Sequence, residues 1–343
     1  MSINSPNISI TACAPGKIIL SGEHAVVYGK PALAVAVDRF AQTTISHRPG
    51  DKIQFEYMHD KLNHALTLHE LQNLKIKIDQ RYRGFIAGKC SIKEVMHNPL
   101  ELIQYAFVYL AEDLALSIKN GLNIQVQLNL PVGCGMGASA AVILSLMHAL
   151  VSHLGYPLPA DKYLYHGREI ENLQHGKSSG LDLFLSLHGG CYFFVDGNTS
   201  KREVPNIPLV LVNTGKPQNS TGECVTAIAN HFQASDIADE FTEVTMVMDL
   251  ALQQKNLAAV QQCIRENHEL LKYVGVVPDK VAKFIAAVEE LGNAAKISGA
   301  GAVSGDNAGI VLVVGEKSIL DIAAEYGYEV LTIKGEHCGL QII

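Results

Sequence analysis

The stretch Pro131-Val-Gly-Cys-Gly-Met-Gly-Ala-Ser139-Ala-Ala141 lies between an alternating apolar and polar run, Gly121–Leu130, and an apolar run of helical length from about Ala138 to Leu154. The first pattern predicts a half-buried strand and the second a buried helix. Three glycines alternate in the loop between them, so backbone N–H groups there can approach an anion closely, and the helix start adds about half a positive charge. Ser139 falls in the first helical turn, where a hydroxyl can hold a metal ion that bridges phosphates. The loop is no Walker A, because no Gly-Lys-Ser/Thr follows it. It is also a poor dinucleotide fingerprint: the preceding strands do not read as parallel, and no acidic residue follows about 20 positions on in a strand. Taken alone, it is equally a tight turn feeding a helix.

Three other segments extend the pattern. Lys296-Ile-Ser-Gly299-Ala300-Gly301-Ala-Val-Ser304-Gly305-Asp-Asn-Ala-Gly309 packs four glycines into eleven residues ahead of an apolar strand, Ile310–Val314. Its plainer reading is a hairpin with bulges. Ala14-Pro15-Gly16-Lys17 is followed by Glu23-His24, and the three polar residues Lys17, Glu23 and His24 are expected to bracket a turn between strands. Arg168-Glu-Ile-Glu-Asn-Leu-Gln-His-Gly-Lys-Ser-Ser-Gly-Leu-Asp182 carries the acid–base candidates Glu169, Glu171, His175 and Asp182. Asp182 is flanked by Leu181 and Leu183, which leaves it poorly solvated if the leucines are buried; a helix N-cap is the competing role. Together the four segments supply a phosphate cradle, a cation, a hydroxyl, acidic metal ligands and a base. Phosphoryl transfer is the reaction that uses all of them, since it depends mainly on positioning and charge stabilisation.

The composition bounds what such a site can belong to. At about 150 residues per domain, 343 residues give about two domains, and 48% hydrophobic content is enough for real cores. A formal net charge of −7 leaves no basic footprint for nucleic acid, and the absence of Trp argues against a platform for stacking bases. No pair of the seven cysteines (13, 90, 134, 191, 224, 263 and 338) is spaced C-x-x-C, so they are expected to be free thiols in a reducing compartment. No secretory signal is legible, and the longest apolar stretch, Ala138–Val151, is too short to span a bilayer. A cytoplasmic protein with no membrane or nucleic-acid partner is expected.

Short strands are predicted at Ile8–Cys13, Ile18–Leu20, Pro31–Phe40, Gln42–His47 and Ile53–Tyr57, followed by a mixed excursion over 60–90 with helical pieces. A helix from Pro99 to about Ile118 precedes the glycine loop, and another from about Pro159 to Leu173 follows. Strands at Cys191–Val195 and Leu209–Asn213 flank a polar stretch, Gly197–Pro208, the best candidate boundary. Helices are expected near 222–231, 236–253, 255–272 and 279–291, then the strand Ile310–Val314, a helix over Ser318–Tyr326 and a strand over Glu329–Ile333. Strands first and helices later, with non-local returns, indicates an α+β chain.

These segments also resemble a known family. Ala14 to Ala34, above all Gly22-Glu-His-Ala-Val-Val-Tyr-Gly29, is similar to the first motif of the GHMP kinases, and of mevalonate kinases in particular. Gly133-Cys-Gly-Met-Gly-Ala-Ser-Ala-Ala141 resembles the second motif and Ser298-Gly-Ala-Gly301 the third, so the likeness covers about residues 12 to 315. The resemblance implies an N-terminal ribosomal-protein-S5-like domain (1–200) and a C-terminal ferredoxin-like α+β domain (201–343), with the site in the cleft between them. It implies ATP held by Pro131, Gly133, Gly135, Met136, Gly137, Ala138 and Ser139, and Mg²⁺ on Ser139 and Glu171. Asp182 would be the base near the acceptor hydroxyl, with Lys17 beside it; the acceptor would touch Glu23, His24, Ser220, Thr221 and Ala300. In mevalonate kinases the Mg²⁺ glutamate lies eleven residues before the aspartate, as Glu171 does before Asp182. The reaction implied is phosphorylation of the mevalonate 5-hydroxyl. The alternatives are a phosphomevalonate or sugar acceptor, or a non-catalytic nucleotide-binding protein. A phosphorylated acceptor would need further cations, for which Lys177 and Lys216 are the local candidates. Family members are commonly dimers. The chain departs from the family at Ala138 (one of a usual Ser pair), at Lys177-Ser178, at Leu183 and at Ala302-Val303, and the changes near Asp182 bear on the acceptor.

Overall fold

A 17-residue strand organises the first half of the chain. The computed structural model describes residues 9–234 and 236–343, and its elements in chain order are β1 (Ile10–Ser21), β2 (Ala32–Arg48), β3 (Lys52–Tyr57), β4 (Leu62–Thr67), α1 (Leu68–Ile86), α2 (Pro99–Asp113), β5 (Gly121–Leu128), α3 (Ala138–His153), α4 (Ala160–His175), α5 (Leu181–His188), β6 (Cys191–Val195), β7 (Asn198–Arg202), β8 (Leu209–Asn213), α6 (Thr221–Ala234), α7 (Ile237–Gln253), α8 (Leu257–Tyr273), α9 (Asp279–Glu290), β9 (Ala294–Ser298), β10 (Ile310–Val314), α10 (Leu320–Tyr326), β11 (Glu329–Thr332) and β12 (Gln341–Ile342). The long strand is β2. It carries β1 along one edge, while β5 and β6 share the other, giving the order β12-β1-β2-β5-β3-β4 with the β6–β7 hairpin on the far half of β2. All pairings are antiparallel except β3 with β5.

The break expected between the strands Ile8–Cys13 and Ile18–Leu20 is absent. β1 runs straight through it, and the Pro-Gly pair instead makes an irregularity where the register with β2 shifts between Pro15 and Gly16. Proline has no N–H to give a ladder, and a bulge is one of the few places a strand accepts it. The two strands expected over Pro31–His47 are likewise one. Ile8, where the first strand was expected to begin, lies outside the described residues. The excursion over 60–90 resolves into β4 and α1, whose start is fixed by a reciprocal capping box between Thr67 and Glu70.

Helix α3 is buried almost all round and packs on β1 and β2; α2, α4 and α5 lie against it. The second sheet has the order β11-β8-β10-β9, all antiparallel. Read in chain order as β8, helices, β9, β10, α10, β11, this is the ferredoxin-like arrangement expected for the second half. Strand β9 was not anticipated: its sequence, AAKIS, places a lysine in a segment where every residue is buried.

The sheets change over between Arg202 and Leu209, so a division at 200 falls inside the β6–β7 hairpin. The chain also returns at its end: Gly335 bridges to Val37, and β12 pairs with Ala12 and Cys13 of β1. Met248 and Ala251 of α7, with Val260, Cys263 and Ile264 of α8, join the apolar cluster under the first sheet. Burial of those faces binds the two halves together. All seven cysteines are free, and among the described residues no helix is long and apolar enough to cross a membrane.

Candidate active site

The three glycine segments converge. A Cβ on Gly135 would stand 2.8 Å from the Ser298 carbonyl oxygen, and one on Gly299 would stand 3.2 Å from Gly135 Cα. The backbone N–H of Lys17 donates to Met136 O at 2.9 Å, and that of Ile310 to Cys134 O at 3.1 Å. Ser298 Oγ accepts from Ile19 N at 3.0 Å and donates to Ile19 O at 3.1 Å, which fastens the third segment to β1. The loop over Pro131–Gly137 is therefore held between β1 on one side and the β9–β10 connection on the other. Met136 turns into the core.

Gly137, at φ +71, is the N-cap of α3 and offers no side chain to its first turn. The N–H groups there are left for an anion, aided by the helix dipole. A Cβ on Gly137 would meet Lys17 Cγ at 3.3 Å and Asp182 Oδ2 at 3.4 Å, so glycine lets this pair lie against the loop. Lys17 Nζ donates to Gly135 O at 2.9 Å and sits 3.1 Å from Asp182 Oδ1. Asp182 is not the N-cap of α5. That position is Gly180, and Asp182 lies in the first turn, between the buried Leu181 and Leu183, where the helix dipole favours a carboxylate.

Across the loop, Ser139 Oγ lies 3.5 Å from Glu171 Oε1 and 3.2 Å from His175 Nε2. Ser178 Oγ donates to the other Glu171 oxygen, Oε2. Burial, reinforced by the Asp182 charge, pushes the Glu171 carboxyl up to about 7, against the pull of the Ser178 hydrogen bond and Lys17. Burial also lowers the His175 imidazole and keeps it neutral. Of the four acid–base candidates, Glu171, His175 and Asp182 are brought together, and Glu169 points to solvent.

Glu23 and His24 are not presented as a free pair. Glu23 is 1% exposed and closes an ion pair with Lys296, which is wholly buried. An enclosed carboxylate requires such a counter-charge. His24, at φ +62, turns Nε2 to Ala300 O at 3.1 Å. Ser220 and Glu223 exchange hydrogen bonds as the capping box of α6 (2.6 and 3.3 Å), so Ser220 is occupied as a cap while Thr221 stays exposed. This helix start lies by the end of α4, where a Cβ on Gly222 would stand 3.6 Å from His175 O. The partnerships of Lys296 with Glu23 and of Ser298 with Ile19 of β1, each across more than 270 positions, leave no local trace in the sequence. Ser178, by contrast, stands within the Arg168–Asp182 string, where a hydroxyl close to the acid–base residues is a local signal for its bond to Glu171.

Burial holds the imidazoles of His24 and His268 down at about 4. Lys296 adds to the effect at both, and Lys272 at His268, where Glu269 opposes it. Between about pH 6.5 and 4 the unfolded chain binds a proton at each site that the folded chain does not. Each histidine therefore removes stability as pH falls through that window, on the order of 2 kcal/mol by pH 5, and removes none above pH 6.5. Glu171 acts in the opposite sense between pH 7 and 4.5, so the informative quantity is a difference. Urea midpoints at pH 7 and pH 5 are expected to diverge less in His268→Gln than in the wild type; equal divergence would remove His268 from the account.

Two family models match the chain, GHMP kinases N terminal domain over residues 101–190 and GHMP kinases C terminal over residues 250–304. The mevalonate kinase of Thermococcus onnurineus is 30% identical over 303 residues, covering 85% of this chain and 86% of that protein. The mevalonate kinase of Pyrococcus horikoshii is 28% identical over 305 residues, with 85% and 86% covered. The crystal structure of Methanococcus jannaschii mevalonate kinase superposes with a TM-score of 0.80 over 97% of this chain and 99% of that one, at 22% identity. It therefore shares the fold.

Proposed function

The chain belongs to the GHMP kinases, and from that we propose that it transfers the γ-phosphoryl group of ATP to the 5-hydroxyl of mevalonate, giving 5-phosphomevalonate and ADP. The observation that carries the chemistry is the Lys17–Asp182 pair lying on the Gly137 end of a glycine loop that opens a helix. The choice of acceptor is supported by the relatives that span most of the chain, which are mevalonate kinases.

The triphosphate lies along Gly133–Ser139, held by backbone N–H groups and the α3 dipole. Ser139 and Glu171 are oxygen donors 3.5 Å apart on facing helices, and the carboxyl is already pressed toward giving up its charge by burial. Such a pair fits a hard cation that takes its remaining ligands from phosphate and water. Mg²⁺ held there would neutralise charge developing on the phosphoryl oxygens.

An alcohol is far too weak an acid to lose its proton to a carboxylate in the ground state. Asp182 therefore takes the proton late, as the new P–O bond forms and the hydroxyl oxygen becomes acidic. Lys17 has three N–H donors, of which Gly135 O and Asp182 occupy two. The third faces the acceptor oxygen and stabilises its developing charge, while the two existing contacts fix the ammonium in place. Glu23 shapes this side of the pocket through its ion pair with Lys296. The free thiols suit the reducing cytoplasm.

A coupled ADP-release assay with mevalonate, phosphomevalonate and galactose, with product mass measured in parallel, tests the reading. Turnover is expected with mevalonate alone. Turnover confined to phosphomevalonate or galactose would move the chain to another acceptor, and none with any of them would favour a nucleotide-binding protein without catalysis.

A further inference from the structure

Lys216 brings to the phosphate loop, from the second sheet, a cationic side chain that the site described so far does not use. It follows β8, and its stem runs along Gly133: a Cβ there would stand 3.3 Å from Lys216 Cε and 3.6 Å from its Cδ and Cγ. The root of the side chain is fixed. Thr214 donates through both N–H and Oγ1 to Gly309 O (2.9 and 2.8 Å), Gly309 N donates to Gly215 O at 3.1 Å, and Gly215 N donates to Asn213 Oδ1 at 3.0 Å. Its far end is exposed and enters no ion pair or side-chain hydrogen bond among the described residues. Its charge is nevertheless felt at the loop, where it counters the effect of burial on the Cys134 thiol.

The charge balance of the site gives this lysine a task. Lys17 is matched by Asp182 at 3.1 Å, and Glu171 contributes negative charge when ionised. A nucleotide triphosphate carries more negative charge than one divalent cation offsets, so the loop is short of positive charge on the side that Gly133 faces. We propose that Lys216 is a phosphate-binding residue for the nucleotide, clamping its polyphosphate against Gly133 from the second sheet. The inference rests on the ATP reading above. It assigns Lys216 to nucleotide affinity, not to the proton transfer at Asp182. Contact with Gly133, at the start of the phosphate loop, favours the nucleotide's phosphates over a phosphate on the acceptor.

Equilibrium binding of MgADP, with no acceptor present, tests this directly. Lys216→Met is expected to weaken MgADP about 10- to 100-fold, the loss typical of a charge-assisted hydrogen bond. It should raise KM for ATP by the same factor and leave KM for mevalonate unchanged; Lys216→Arg should retain most of the affinity. Unchanged MgADP binding in Lys216→Met overturns the inference, as does an equal loss in Lys216→Arg, because the charge would then not be the cause. Weaker binding of phosphomevalonate alone would reassign the lysine to the acceptor and also overturn it. Failure of the wild-type protein to bind MgADP would instead overturn the ATP reading itself, so the two failures are distinct.

Discussion

Asp182→Asn is expected to fold, to bind MgADP with near wild-type affinity, and to turn over about 100- to 10,000-fold more slowly. Asparagine has the shape of aspartate, and the site can absorb the change: Leu181 and Leu183 still anchor the first turn of α5, and Lys17 keeps its bond to Gly135 O. What is lost is the one carboxylate paired with Lys17 among the described residues, the group that accepts the acceptor's proton as the P–O bond forms. The variant also separates two routes to an activated hydroxyl. If Asp182 is the proton acceptor, kcat falls while nucleotide affinity holds. If Lys17 alone lowers the hydroxyl pKa by its charge, releasing it from Asp182 leaves that charge undiminished, and kcat stays within about tenfold. Steady-state kinetics at saturating ATP and mevalonate, with MgADP titrations on the same preparation, decide between these outcomes. A variant at full rate would remove Asp182 from the mechanism.

The parts of the molecule that were legible in the sequence are those whose physics is local. The glycine loop before Ser139 announces itself because a strand pattern, alternating glycines and an apolar helix follow within a few residues. Helix α2 is legible from Pro99 in its first turn, and β10 from five consecutive aliphatic residues. The pairing of Glu171 with Asp182 was legible only through the family resemblance that their eleven-residue spacing matches; the structure sets one on α4 and the other just after the Gly180 cap of α5. What was not legible depends on distant partners. Pro15-Gly16 has the composition of a turn, and only the unbroken pairing of β1 with β2 converts it into a bulge. Residues 341–342 make a strand because β1 offers an open edge more than 300 residues earlier. Lysine normally marks a solvated position, so nothing nearby reveals that Lys296 lies inside a sheet and that Glu23 balances it.

Lys296→Met is expected to destabilise the fold by about 3–5 kcal/mol, a large share of the stability of a typical domain. The substitution keeps the volume and apolar stem of the lysine, so packing in β9 is preserved and the loss is electrostatic. Glu23, already carrying one oxygen with no hydrogen-bond partner, would be left as an uncompensated carboxylate in a site that excludes water. Burial already pushes the Glu23 carboxyl up and the Lys296 ammonium down, so each depends on the other to stay charged. That dependence predicts strong coupling. The double variant Glu23→Met/Lys296→Met removes both charges and should recover most of the stability that the single change loses, a departure from additivity of at least about 2 kcal/mol in a urea-denaturation cycle. The catalytic consequence should not recover with it. Glu23 lies between Gly22 and His24, in a turn where His24 holds the left-handed φ of +62 and reaches Ala300 O, and this turn leads out of the strand that carries Lys17. Replacing the ion pair with two thioethers restores burial but not the fixed direction of that turn. The double variant is therefore expected to be stable yet raised in KM for the acceptor. A Lys296→Met protein within 1 kcal/mol of wild type would show that the pair carries no such load, and a fully active double variant would show that the turn needs only packing.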